Sequence, residues 1–105
     1  FDKIAERFNQ LAEKIDKDYT QASLGDFCYH IDHAVSVMGI DHVGIGTDFG
    51  GGGGVTGFND AAEAVNVTAE LLRRGYKETG IKKIWGGNIL RAWREIERVA
   101  EKMGR

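Results

Sequence analysis

Asp48 is the residue with the clearest chemical potential. It closes the run Val43-Gly44-Ile45-Gly46-Thr47 and is followed by Phe49 and five consecutive glycines, Gly50 to Gly54. A carboxylate at the tip of a strand can accept and return a proton during bond cleavage. Glycines beside it let backbone approach a ligand where a Cβ would crowd it. Taken alone, the same residue also reads as a turn former or a helix cap. His30 and His33 lie three positions apart and could pair on a helix to chelate a metal. The apolar arc around them is centred on Ile31, which puts His33 on the solvent side and His30 at the edge, so both read as surface residues. Cys28 falls inside that arc and reads as a small core residue. His42 reads as structural or exposed. The run "GIGTDFGGGGG" does not place a Gly-x-Gly-x-x-Gly directly before a helix, and no Walker lysine follows, so the glycines do not read as a phosphate cradle.

The elements that must position Asp48 follow from apolar spacing. Phe1, Ile4, Ala5, Phe8, Leu11, Ala12 and Ile15 recur every three or four residues, which predicts an amphipathic helix over 2–16. The polar stretch "DKDYTQAS" reads as a connection. Leu24, Phe27, Cys28, Ile31, Ala34, Val35 and Met38 predict a second helix over about 23–38. Ser23 is its expected N-cap, with Asp26 three residues on as the capping-box acid. Gly39 is its expected stop. Val43, Ile45 and Thr47 are β-branched and alternate with glycine, which predicts a short buried strand over 42–47. Asn59 or Asp60 is expected to cap a helix that runs to Arg74 and stops at Gly75. A short helix over about 78–85 is expected to break at Gly86 and Gly87. Asn88 is then expected to cap the last helix, whose stripe is Ile89, Trp93, Ile96, Ala100 and Met103. Trp85 and Trp93 read as packing residues. Arg73, Arg74 and "REIERVAEK" read as a solvated face.

Composition bounds what the chain can be. Its 105 residues make at most one small domain or a piece of a larger one. Fourteen Lys and Arg against sixteen Asp and Glu give a formal net charge of -2. That balance gives no electrostatic case for nucleic acid or an anionic membrane. The single cysteine excludes an internal disulfide and fits a reduced compartment. With no signal-peptide pattern at the start, this favours a cytoplasmic parent. The chain opens at Phe1 in helical register, which suggests a start that lies further upstream. Fifteen glycines and no proline mark unusual punctuation rather than low complexity, and no internal repeat is visible.

A lone strand among helices poses a physical problem. Its backbone donors and acceptors would be orphaned if buried without partner strands. The economical solution is that the partners lie outside this chain, as the neighbours of the last strand of a larger parallel α/β protein. The alternative is a small autonomous helical interaction module without catalysis, in which Asp48 and the glycines merely form a turn.

The segment "HIDHAVSVMGIDHVGIGTDFGGGGGVTGF", followed by "TAELLRRGY" and "GGNILR", resembles the C-terminal part of the membrane dipeptidase (renal dipeptidase) family of zinc-dependent peptidases. The resemblance implies an α/β fold, the last strand and surrounding helices of a (β/α)8 TIM barrel of the amidohydrolase type. Residues 1–22 then match a helical insertion after strand seven and 23–39 match helix seven. Strand eight takes 42–48, an active-site loop 49–59, and C-terminal helices 60–105. The implied reaction is hydrolysis of the peptide bond of dipeptides through a metal-bound water. Asp48 matches the family aspartate that handles the proton of that water and contacts the dipeptide, making it both the catalytic and the substrate-binding expectation. Two zinc ions are implied, with all their ligands on strands outside this chain, so no residue here is expected to bind metal and the chain alone is expected to be inactive. The expected partners are the dipeptide and the remainder of the barrel, with homo-oligomerisation of the parent left open. The sequence departs from the family pattern in two places. Gly50 stands where a second aspartate is usual, and Thr56 stands near a usual proline.

Overall fold

The computed structural model describes residues 1–15 and 21–104. The end of the expected first helix at Asp16 and most of the connection after it lie outside the described residues. Helix α1 (Asp2–Ile15) follows the three-four apolar spacing. It contributes no buried residue, and Phe1, Ile4, Phe8 and Ile15 are all exposed.

Helix α2 (Leu24–Met38) begins as its residue types predict. The Ser23 hydroxyl accepts the Asp26 N–H, and the Asp26 carboxylate accepts the Ser23 N–H at 2.9 Å. The Ser23 backbone and hydroxyl donors hold the Asp26 carboxyl below its usual range. The helix stops at Gly39, whose φ of 85° suits a residue without Cβ. A 3-10 turn, Ile40–His42, leads into the segment expected to be strand eight.

That expectation needs correction. Residues 43–48 form no strand ladder, and His42 belongs to the 3-10 turn. The reason is physical: the conformation is extended at Val43 (φ -113°, ψ 137°), but among the described residues no other extended segment lies alongside to complete a ladder. The pleat itself survives in the burial pattern. Val43 is buried and Ile45 and Thr47 are half-buried, whereas Gly44, Gly46 and Asp48 are exposed. Alternation of this kind is what a strand with one covered face shows. Among the described residues the fold is therefore helical, and the α/β architecture is present only as one unpaired extended segment.

The glycine run ends in a turn closed by the Val55 and Phe58 backbones, each donating to the other's carbonyl at 3.1 and 2.8 Å. Thr56 ties this turn to the approach to α2 by accepting the Leu24 N–H and donating to the Ala22 carbonyl. Asp60 then caps the next helical stretch through the Glu63 N–H. A 3-10 turn, Ala61–Glu63, runs into α3 (Ala64–Arg73). Helix α4 (Glu78–Lys82) continues through a π-helical turn, Lys83–Gly87, into α5 (Asn88–Lys102).

Gly86 and Gly87 therefore do not break the chain, and Asn88 is not a cap. Gly87 and Asn88 both keep right-handed helical angles. A Cβ at Gly87 would sit 3.1 Å from the Lys82 carbonyl, so glycine lets the widened turn close. The core joins Cys28 and Ile31 of α2, Val67 and Leu71 of α3, and Val43, Phe58, Ile81 and Ile84. Phe58 is its aromatic centre, meeting Phe27, Phe49 and Trp85 edge-on at 5.4, 5.1 and 6.2 Å. Trp85 also donates to the Thr68 hydroxyl at 2.8 Å. Both histidines of α2 are exposed and Cys28 is fully buried, where burial pushes its thiol up.

Candidate active site

The extended segment is gripped at its start by side chains from the last helical stretch. Asn88, buried in α5, donates through Nδ2 to the carbonyls of Ile40 at 2.7 Å and Val43 at 2.8 Å. Arg91 donates to Asn88 Oδ1 at 3.0 Å and to the Asp41 carbonyl at 2.6 Å. Lys83 pairs with the Asp41 carboxylate at 2.6 Å and holds its pKa below the usual range. Sequence reasoning missed these three roles. The residues "GGN" read as a helix break followed by a cap, and helical continuity across two glycines was not legible in them.

A second cluster fastens α2 to α3. Arg74 pairs with Asp32 at 2.5 Å and with Glu70 at 2.8 Å, and donates to the Gly25 carbonyl at 3.1 Å. The Tyr76 hydroxyl donates to Asp32 at 2.8 Å. The Arg73 and Arg74 guanidiniums draw the Glu70 carboxyl down to about 2. Burial, then the Asp32 carboxylate, push the Tyr76 hydroxyl up to about 12. Arg74 is thus not part of a solvated face, as its charge suggested. It is the tie between two helices, with only 20% of its side chain exposed.

Asp48 sits at the far end of the same segment. It is exposed, and its φ of 52° is left-handed, the one such value outside glycine among the described residues. Non-glycine residues enter this region at a cost, with Asp and Asn the best tolerated. Its carbonyl accepts the N–H groups of Gly51 and Gly53 at 2.9 and 3.1 Å. Phe49 N–H reaches back to the Thr47 hydroxyl at 3.4 Å. The glycine loop thus folds back onto the backbone of Asp48 instead of trailing into solvent.

Two clefts flank the extended segment. One of about 190 Å³ lies toward α2 and is lined by Phe27, Ile31 and residues 43–46. Another of about 320 Å³ lies toward α5 and is lined by Asp41, Val43, Asn88 and Ile89. Neither includes Asp48.

Among the described residues, no three His, Cys, Asp or Glu side chains come together to hold a metal ion. Asp48 belongs to no such group, so the implied zinc pair does not fit the described donors of this chain.

Comparison with known proteins gives these features a context. The family model of membrane dipeptidases, peptidase family M19, matches residues 8–105. The chain belongs to the membrane dipeptidase family. Dipeptidase tcpJ of Claviceps purpurea is 38% identical over 85 residues, covering 80% of this chain and 20% of the relative. Dipeptidase 3 of Rattus norvegicus is 35% identical over 82 residues, covering 77% of this chain and 17% of the relative. The crystal structure of the probable dipeptidase PvdM from Pseudomonas aeruginosa superposes with a TM-score of 0.75 at 46% identity, over 90% of this chain and 24% of that one. The chain thus spans about a fifth of the length of the curated relatives it matches. The stretches that carried the resemblance have definite places in the fold: "GTDF" ends the extended segment at Asp48, "ELLRRGY" holds Glu70, Arg74 and Tyr76, and "GGN" spans the end of the π-turn and Asn88.

Proposed function

We propose that this chain is the C-terminal part of a (β/α)8-barrel dipeptidase that hydrolyses the peptide bond of dipeptides, with Asp48 as its contribution to catalysis. The observation that carries the reading is the extended segment 43–48. One face is covered by helices, the other face is glycine, no ladder forms on either edge among the described residues, and a carboxylate stands at its tip. A strand with helices on one face and a bare face opposite is what a stave of a (β/α)8 barrel would present without its neighbours. The clefts toward α2 and α5 are where neighbouring strands would lie. Gly44 and Gly46 would face the barrel interior, and Asp48 would stand at its mouth, where barrel enzymes keep their active sites.

The chemistry assigned to this chain is limited to what Asp48 can do. An ionised carboxylate there can hold the free ammonium of a dipeptide, orient it, and accept a proton from the attacking water for delivery to the departing amine. The family is generally metal-dependent. Zinc in the parent, held by residues of other strands, belongs to the proposal and would supply the activated water.

The test is Asp48→Ala in the full-length protein, measuring dipeptide turnover and bound zinc together. Turnover should fall sharply, by about 100-fold or more, as for loss of a proton-handling group, with zinc content retained. Turnover at the parental rate would remove Asp48 from the mechanism, and loss of zinc would make it a ligand instead.

A further inference from the structure

Gly51 and Gly53 differ from the other glycines of the loop. Gly50, Gly52 and Gly54 have φ of 80°, 105° and 133°, so their own backbone excludes most side chains. Gly51 and Gly53 lie outside that region, and their backbone would accept a Cβ. What excludes one is Asp48 and its neighbour. A Cβ at Gly51 would lie 2.5 Å from Asp48 Oδ1 and 3.1 Å from its Cγ. A Cβ at Gly53 would lie 2.0 Å from the Thr47 carbonyl oxygen and 3.0 Å from the carbonyl carbon and the Cβ of Asp48. The same two residues donate the N–H groups that hold the Asp48 carbonyl.

We infer that Gly51 and Gly53 are positioning residues for Asp48. Their N–H groups fix its left-handed backbone, and their missing side chains leave the space in which its carboxylate points. The inference rests on the reading of Asp48 as the proton-handling group. It adds that the glycine run is not a uniform flexible segment: two of its members set the direction of one side chain. Gly51 acts on the carboxylate, and Gly53 acts on the peptide units on either side of the Asp48 Cα.

The experiment is a double-mutant cycle in the full-length enzyme with a dipeptide substrate. Gly51→Ala forces the carboxylate to turn while leaving the backbone free to stay. Its kcat should fall about 10- to 100-fold with KM nearly unchanged, the loss expected when a catalytic group is misplaced by about 1 Å. In an Asp48→Ala background there is no carboxylate to displace, so Gly51→Ala should change kcat by less than about 2-fold. Where Asp48→Ala turns over too slowly to follow, Asp48→Asn serves as the background, measured in single turnovers. Gly53→Ala should lower kcat at least as far as Gly51→Ala, with far-ultraviolet circular dichroism showing the fold intact. Parental turnover in Gly51→Ala, or an undiminished loss when Asp48 is already replaced, would overturn the positioning role and leave Asp48 in place. Parental turnover in Asp48→Ala would instead overturn the reading on which it rests.

Discussion

The side-chain amide of Asn88 lies 2.8 Å from the carbonyl oxygen of Val43, and the same nitrogen reaches the Ile40 carbonyl at 2.7 Å. One buried donor group thus satisfies two backbone acceptors at the start of the segment that ends in Asp48. No ladder partner is available to them among the described residues, so the amide does the work of a neighbouring strand. Replacing Asn88 by Ala would leave both carbonyls unpaired and free Arg91 from Asn88 Oδ1. An orphaned buried group such as the Val43 carbonyl costs about 1–3 kcal/mol, and the half-buried Ile40 carbonyl less. Asn88→Ala should therefore destabilise the full-length protein by about 2–4 kcal/mol, read as a shift of the urea midpoint. Asn88→Asp should be no better, because a carboxylate has no donor for either carbonyl. A midpoint within error of the parent would show that the Ile40 and Val43 carbonyls find other partners.

The Glu70–Arg74–Asp32–Tyr76 cluster gives a pH dependence with a definite sign. Glu70 has a folded-state pKa near 2, below its ordinary 4.5. Its contribution is present above about pH 4.5 and is lost as pH falls toward 2. Tyr76 has a folded-state pKa near 12, above its ordinary 10.0. Its contribution is complete below pH 10 and is lost as pH rises toward 12. The difference in melting temperature between the full-length protein and Glu70→Gln should therefore shrink between pH 7 and pH 3. The difference from Tyr76→Phe should shrink only above pH 10. Gaps that stay constant with pH would show that these groups titrate alike in the folded and unfolded states.

Local rules carried much of this architecture. The capping box at Ser23 and Asp26, the stop at Gly39, the Asp60 cap and the apolar stripes of α2 and α3 are short-range features, and each lies where its residue types put it. What was illegible depends on distance. Arg74 reads as a surface charge until α2 brings Asp32 beside it, 42 positions away. Asn88 reads as a cap because Asn is a favoured N-cap residue and two glycines precede it. Only a π-turn, whose wider register has no simple sequence signal, rotates its amide onto Ile40 and Val43. The strand at 43–48 was legible as an alternation but could not become one here, since a ladder requires a second segment.

The left-handed backbone of Asp48 separates its structural cost from its chemical use. Ala at φ 52° meets the steric penalty in full, whereas Gly does not. Asp48→Gly should therefore be more stable than Asp48→Ala in the full-length protein by about 1 kcal/mol. Both should be equally poor in dipeptide turnover, since both lack the carboxylate. Thermal melts and initial rates on the two variants check this together. Equal melting temperatures would show that the whole protein relaxes Asp48 out of the left-handed region.

The last prediction concerns the 105-residue chain by itself and decides between a piece of a barrel and an autonomous helical module. Its radius of gyration is 17.5 Å, against about 13 Å for a compact globule of this length. Helix α5 buries only Asn88, while Ile89, Trp93, Ile96 and Met103 on its apolar stripe are exposed. Helix α1 buries nothing, and the extended segment pairs with no strand among the described residues. Among the described residues, eight buried apolar side chains form one small core with partly buried neighbours such as Phe27 and Trp85 packed against it, while the apolar stripes of α1 and α5 face water. A chain in this condition should keep helical circular dichroism but melt without a cooperative transition, bind a hydrophobic dye and self-associate with rising concentration. The full-length protein should melt cooperatively and bind little dye. A sharp two-state melt of the isolated chain as a monomer would show that its helices suffice for a fold, and would favour the interaction module over the barrel segment.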